Sequence, residues 1–214
     1  MPLAMMPFLE QSARWPRAGR CILAQFDEES VVVYQAYDPS IAEYALREGR
    51  FGGAFSFGRM SWIKPGFLWM MYRSGWGEKE GQRVVLAIRL RRDAFETILN
   101  AAVPSTYDPA LYSGPEAFQA AIAASSVRLQ WDPDHDPQGN KLERRAIQLG
   151  LRGDFLRRYA TEWILEIQDV SELVREQRRY ALNGLYDRLL TPSESVYPVR
   201  NPELAAKLGL EGHP

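Results

Sequence analysis

An α+β fold with a mainly antiparallel, split sheet and flanking helices is the class that this sequence predicts, on three observations. Strand-like and helix-like segments alternate irregularly, not as a regular β-α-β series. Several strand segments are apolar on one side only, whereas parallel sheets read as continuous apolar runs. Neither a Walker phosphate loop nor the glycine fingerprint of dinucleotide-binding parallel sheets occurs, and Gly49-x-x-Gly52-Gly53 is too loose to stand in for one.

The 214 residues suffice for one sizeable core. They divide into an arm over 1–19, an α+β domain over 20–190 and a peripheral tail with a short helix over 191–214. Hydrophobic residues make up 46% and charged residues 25%, an ordinary globular composition. A formal net charge of -1 gives no global field toward DNA or a membrane, so an anion site must be a local patch. Cys21 is the only cysteine. It can form no intrachain disulfide or Cys-based zinc site, and within CILAQF it reads as a small buried strand residue. No apolar run approaches the ~20 residues that cross a bilayer. Prolines and Glu10 interrupt the apolar start, and a cytoplasmic protein is expected.

Residues 21–26 and 31–37 flank the polar tract Asp27-Glu28-Glu29-Ser30 and predict a hairpin. Asp38-Pro39 opens a helix, with a side-chain cap and proline in the first turn. Ile41, Ala42, Ala45 and Leu46 form its apolar face and Gly49 closes it. Gly52-Gly53 turns the chain into a strand over 54–62, and Pro65 starts a helix with Phe67, Leu68, Met71 and Tyr72 on one side. RVVLAIRLR, 83–91, is a strand. Asp93 with Glu96 predicts a capping box for a helix carrying Phe95, Ile98, Leu99 and Ala102. A loop over 103–114 precedes a helix over 115–124 and a strand over 126–131. The loop 132–140 leads to a strand over 144–151, a short basic helix from Asp154 and a strand over 162–169. Asp169 with Glu172 predicts a second capping box, for a helix that Asn183-Gly184 breaks. Asn201-Pro202 caps a small helix in the tail.

The chemistry concentrates in FGGAFSFGRMSWIKPGFLWMMYRSGW, residues 51–76. Three Trp, four Phe and three Met surround Arg59, Lys64 and Arg73, with no acidic residue. Aromatic faces beside fixed cations suit a planar ring carrying phosphates. The competing reading is a core strand and helix with cations at their edges. Arg47 and Arg50 fit solvated cations at a helix C-terminus. Arg59, Lys64 and Arg73 lie inside an apolar run and need partners if buried.

In WDPDHDPQGNKLERR, residues 131–145, Asp132, Asp134 and Asp136 alternate in the manner of a calcium loop. Pro137 replaces the required glycine and strands flank the loop, so no metal site is assigned. His135 sits between two carboxylates as a candidate acid or base, against the commoner reading of a surface turn. Lys141, Arg144, Arg145, Arg152, Arg157 and Arg158 offer a basic surface for a nucleic-acid backbone, or a solvated face with local ion pairs.

VVVYQAYDPSIAEYA, the 51–76 stretch, LAIRLRRDAF and WDPDHDPQGNKLERRAIQLGLRG closely resemble the family named domain of unknown function 4291, over roughly residues 30–198. That name implies no activity. A distant resemblance is to the ADP-ribosyltransferase fold: Tyr34-Gln35, the helix from Ile41, the strand near Phe55 and the helix from Phe67 follow one another in that family's order. Gln35 stands where His or Arg is usual, and Gln148, Glu143 or Glu162 where a late glutamate is usual. The resemblance implies NAD as cofactor and cleavage of the nicotinamide–ribose bond. Gln35 would then hold the ribose, and Trp62 or Tyr72 would stack on nicotinamide. Arg59 and Lys64 would take the phosphates, Tyr34 and Arg73 would also belong to the cofactor site, and Gln148 or Glu143 would orient the acceptor.

The first expectation is therefore a nucleotide-using transferase, NAD-dependent and ADP-ribosyltransferase-like, acting on a nucleic acid or small nucleotide. The alternatives are a noncatalytic nucleic-acid-binding domain using the same surface, and a metal-assisted hydrolase built around Asp132, Asp134 and His135.

Overall fold

The computed structural model of the chain describes residues 3–210. In order, the elements are β1 (Met5–Pro7), α1 (Phe8–Ser12), β2 (Gly19–Arg20), β3 (Leu23–Ala24), β4 (Ser30–Tyr37), α2 (Pro39–Glu48), β5 (Ser61–Ile63) and α3 (Phe67–Ser74). There follow β6 (Val84–Arg91), α4 (Arg92–Ala101), β7 (Ala102–Pro104), α5 (Pro115–Ala124), β8 (Val127–His135), β9 (Lys141–Leu151) and α6 (Gly153–Arg158). A π-helical turn, Tyr159–Trp163, then leads into β10 (Ile164–Asp169), α7 (Ser171–Leu182), β11 (Leu190–Pro192), β12 (Ser195–Val196) and α8 (Pro202–Leu208).

The fold is α+β, and most of its strand pairs are antiparallel. One sheet runs β10-β6-β4 and another runs β2-β9-β8-β7, with β5 pairing to β9. A single bridge joins them: Tyr34 N donates to Lys64 O at 2.7 Å and Lys64 N to Tyr34 O at 3.3 Å. The sheet is thus split, and it curls as a half-barrel.

The apolar run of β4 reflects burial on both faces. Val31 and Val33 join Ala42, Ala45, Phe95 and Ile98 in one core cluster, with α2 and α4. Val32 and Tyr34 join Phe67, Met70, Met71 and Val174 in the other, with α3 and α7. Leu86 and Ile88 of β6 fall in the first cluster and Val85 and Ala87 in the second, as strand alternation requires.

Local expectations differ from this structure in several places. The strand over 54–62 shrinks to β5. A Cβ on Gly52 would come within 2.6 Å of the Tyr44 ring, and Gly53 has φ +59°, so the turn packs on Tyr44 and suits glycine. Residues 54–60 continue as turns, placing Phe55 against Phe51 with ring centroids 4.7 Å apart.

Neither capping box forms. Asp93 Oδ1 accepts from the next residue, Ala94 N, at 2.7 Å and from Arg91 Nε at 3.2 Å, and Glu96 Oε1 accepts from the Tyr197 hydroxyl at 3.0 Å. Asp169 Oδ1 holds Ser171 N and Oγ instead. Asp38 makes no side-chain cap bond, whereas Asn201 Oδ1 does accept from Glu203 N and Leu204 N.

The first four residues of the expected loop 132–140 are strand. β8 runs on through His135, which pairs with Lys141, and a bulge between Pro133 and His135 accommodates a proline that cannot donate to the ladder. The tail is not peripheral. β11 pairs with β1 and β12 with β3, and the Glu194 carboxylate accepts from Phe67 N at 2.7 Å, capping α3. From the arm, Trp15 Nε1 donates to Glu194 O at 2.9 Å and Gln11 Nε2 to Thr191 Oγ1 at 2.7 Å. Among the described residues no helix is long and apolar enough to cross a membrane.

Candidate functional site

Where β4, β5, α3, β8 and β9 converge they enclose a cleft of ≈ 630 Å³. Its floor begins with Gln35, one of few polar residues in the buried β4. The Gln35 amide donates to Ser61 Oγ at 2.8 Å and to Trp62 O at 3.1 Å, and its oxygen accepts from the Tyr159 hydroxyl at 2.6 Å. Tyr37 Oη lies 2.9 Å from Ser61 Oγ. Burial raises the Tyr37 and Tyr159 hydroxyls well above the usual phenol range, so both stay neutral. The π-helical turn is what aims Tyr159 at Gln35, an insertion of the sort that recurs at functional sites.

Lys64 comes next, held by its backbone bridge to Tyr34 and by the following Pro65. It is 5% exposed. Its Nζ has one hydrogen bond, to Trp62 O at 3.3 Å, and no carboxylate within 4.0 Å among the described residues. Burial, then the charge of Arg73, lower its pKa to about 7, with Asp132 opposing.

On one side α3 contributes Trp69, Tyr72 and Arg73. Behind them the His135 ring stacks on Tyr72, centroids 3.4 Å apart, and on Trp69 at 5.4 Å. Opposite, β8 and β9 contribute Gln130, Asp132 and Gln148. Gln130 pairs with Gln148 across the ladder. The Asp132 carboxylate accepts from Gln130 Nε2 at 2.9 Å and Gln148 Nε2 at 2.7 Å, which fixes its orientation.

Trp62 and Met60 lie across Gly150: a Cβ there would come within 2.6 Å of Met60 Sδ and 3.0 Å of the indole. Glycine permits this approach of ring to strand. At the lip, Arg59 and Arg73 are exposed and make no side-chain ion pair with a described residue. Aromatic faces, unpaired guanidinium groups and an oriented carboxylate can together hold a ring, phosphates and an electron-poor sugar carbon.

Of the residues singled out in the sequence, Gln35, Arg59, Trp62, Lys64, Tyr72, Arg73 and Gln148 line this cleft. Three do not. Tyr34 is fully buried in the second core cluster, packed edge-on to Phe67 at 5.5 Å, because alternation turns it away from Gln35. Glu143 is exposed on β9 and does not line the cleft. His135 is 2% exposed and neither ring nitrogen has a partner. Burial lowers its pKa, with Asp134 opposing, so it serves as a neutral backing for Tyr72.

Sequence reasoning treated Asp132 as a metal-loop residue and passed over Gln130. The signal was present: 130 and 132 share one face of a strand once that strand is carried past Trp131. Tyr159, which reaches Gln35 from 124 positions away, had no local signal.

The alternating aspartates separate by partner. Asp132 binds the two glutamines. Asp134 is ion-paired to Arg144 at 2.7 Å. Asp136 Oδ1 accepts from Gln138 N and Asn140 N in the hairpin turn. Among the described residues no group of three or more His, Cys, Asp or Glu is placed to hold a metal ion.

The second basic feature disperses too. Arg144 is buried, Arg152 donates to Ser125 O and Ala123 O, and Arg158 lies 4.6 Å from the Trp163 ring centre. Cys21 is buried, and burial pushes its thiol up to about 11, leaving it inert at neutral pH. A second hollow of ≈ 650 Å³ along α7 is lined by alternating Glu and Arg side chains such as Glu78, Arg178 and Glu176.

No curated protein matches the chain. A family model does match, over residues 21–197, from the strand that precedes the floor of the cleft to the tail strand beyond α7. The chain belongs to the family described as Domain of unknown function (DUF4291).

Proposed function

We propose that the cleft binds a nucleotide bearing ADP-ribose, NAD by preference, and transfers its ADP-ribosyl group to a nucleic acid or small nucleotide. The observation behind this reading is the convergence of Arg59 and Arg73, both without ion-pair partners, with Trp62, Tyr72 and the oriented Asp132 carboxylate on one cavity. When bound, NAD supplies a ribose carbon whose bond to nicotinamide breaks with build-up of positive charge. Asp132, pinned by Gln130 and Gln148, stabilises that charge without having to reorganise. Arg59 and Arg73 neutralise the pyrophosphate, and Trp62 and Tyr72 supply the ring contacts. Gln35 acts through its neighbours, since its amide and carbonyl are already engaged. Asp132, and not Glu143, is the carboxylate of this cleft, and Lys64 is too deep and too weakly basic for a phosphate clamp.

Calorimetry with NAD, and separately with single-stranded RNA, tests this reading. NAD heat that falls at least tenfold in affinity in Trp62→Ala and Arg59→Ala supports it. In Asp132→Asn, binding persists while release of nicotinamide is lost. RNA binding that weakens steeply with salt, without NAD heat, replaces it with the noncatalytic nucleic-acid reading.

A further inference from the structure

We propose that the ε-amine of Lys64 is a nucleophile that forms an imine with the aldehyde of a ring-opened sugar phosphate held in the cleft. The proposal stands apart from NAD use and requires neither a dinucleotide nor a transfer step.

Three observations carry it. Lys64 lines the cleft, and its Nζ has one long hydrogen bond and, among the described residues, no carboxylate partner, whereas structural buried cations are paired. Arg59 and Arg73 at the lip give a phosphate two cationic partners. Gln130 and Gln148, which line the cleft, each donate from Nε2 to Asp132, so their carbonyl oxygens are the groups left to accept from a polyhydroxyl chain. The charged groups that line the cleft with it are Arg59, Arg73, Asp132 and Glu80. Burial first, then Arg73, bring the amine to about 7 against Asp132, so on the order of half of it is neutral at pH 7, against roughly one in a few thousand for an ordinary lysine.

The chemistry balances without a redox partner. The Nζ lone pair adds to the aldehyde carbon, and the carbonyl π pair moves to oxygen, which takes up a proton. The carbinolamine then loses that oxygen as water while nitrogen gives up its proton. Amine and aldehyde become imine and water, and Asp132 is the carboxylate placed to carry the protons.

The test uses the full chain with ribose 5-phosphate and sodium cyanoborohydride, followed by peptide mass spectrometry. The expected result is a mass gain of the sugar phosphate less one oxygen on the Lys64 peptide, at least tenfold faster at pH 7 than on exposed Lys141. Ribose without phosphate labels Lys64 at least tenfold more slowly, and inorganic phosphate suppresses the reaction. Labelling at Lys64 rises through about pH 7. Lys64→Arg and Lys64→Met abolish it while retaining the wild-type circular dichroism spectrum. Because wild-type protein alone gives the rate ratio, pH profile and phosphate competition, a poorly folding variant does not blunt the test. Equal labelling of Lys64 and Lys141, or equal rates with ribose and its phosphate, overturns the proposal. Either result leaves the NAD titration standing, since that reads binding and not amine chemistry.

Discussion

Two buried cations in this molecule are treated in opposite ways. Arg144 is 6% exposed and Lys64 5%, so burial alone does not separate them. The Arg144 guanidinium places Nη2 and Nε at 2.7 and 2.8 Å from Asp134 Oδ2, gives Nη1 to Pro16 O at 2.8 Å, and packs 5.3 Å from the Trp15 ring centre. The other oxygen of Asp134 accepts from His135 N at 2.8 Å. Every strong group there has a partner, and the cluster ties the arm to β8 and β9. Lys64 has one weak bond and lines the cleft. A satisfied buried charge marks architecture, and an unsatisfied one at a cavity marks chemistry.

The sharpest way to break this contrast is Asp134→Ala. It leaves Arg144 buried and uncompensated, and a loss of about 3–5 kcal/mol is expected in urea unfolding at pH 7. Lys64→Met has the opposite sign. The folded pKa, about 7, lies below the ordinary 10.5, so the unfolded chain binds the proton more tightly. Wild-type stability therefore rises as pH climbs from about 7 to about 10.5, and Lys64→Met is flat across that window. At pH 6 the variant is the more stable, by about 1.4 kcal/mol for each unit of depression. Denaturant midpoints at pH 6 and pH 10 check both statements.

Glu194 sharpens the comparison from the acidic side. Burial raises its carboxyl to about 8, although the Phe67 N–H opposes. Its folded pKa lies above the usual 4.5, so the stability it confers is fully present below pH 4.5 and is lost as pH rises through about 8. Glu194→Gln removes that slope and is more stable at pH 9, by only about 1 kcal/mol, because it gives up a charge-assisted bond to the start of α3. The smallest effect is expected for the double change Asp134→Leu with Arg144→Met. Removing both partners strands no charge, and thermal melts should place it within about 1.5 kcal/mol of wild type.

Much of the site was legible. Arg59, Trp62, Lys64, Tyr72 and Arg73 share one short stretch, and a cation-rich aromatic run without acids is visible without any fold. Gln35 and Gln148 came from the order of elements. Tyr34 was misplaced because neighbouring strand residues point to opposite faces, and in a strand buried on both faces polarity does not say which face is the cavity. His135 was misplaced because β8 continues through it and its ring is buried against Trp69 and Tyr72, and Glu143 because it lies exposed on β9, at an odd spacing from Gln148 and so on the other face of the strand. Asp93 with Glu96 and Asp169 with Glu172 fit a capping pattern, yet the Tyr197 hydroxyl engages Glu96 and the Ser171 side chain engages Asp169.

By itself the sequence determined the α+β class, most strands and helices, and the aromatic–cationic segment, because these follow from periodicity and residue type over a few turns. Tertiary structure alone decided which carboxylate faces that segment, that arm and tail fasten α3, and that Lys64 rather than Arg144 is left without a charge partner. Those outcomes depend on contacts between residues far apart in the chain, such as Tyr159 with Gln35 and Glu194 with Phe67, and no local pattern encodes them.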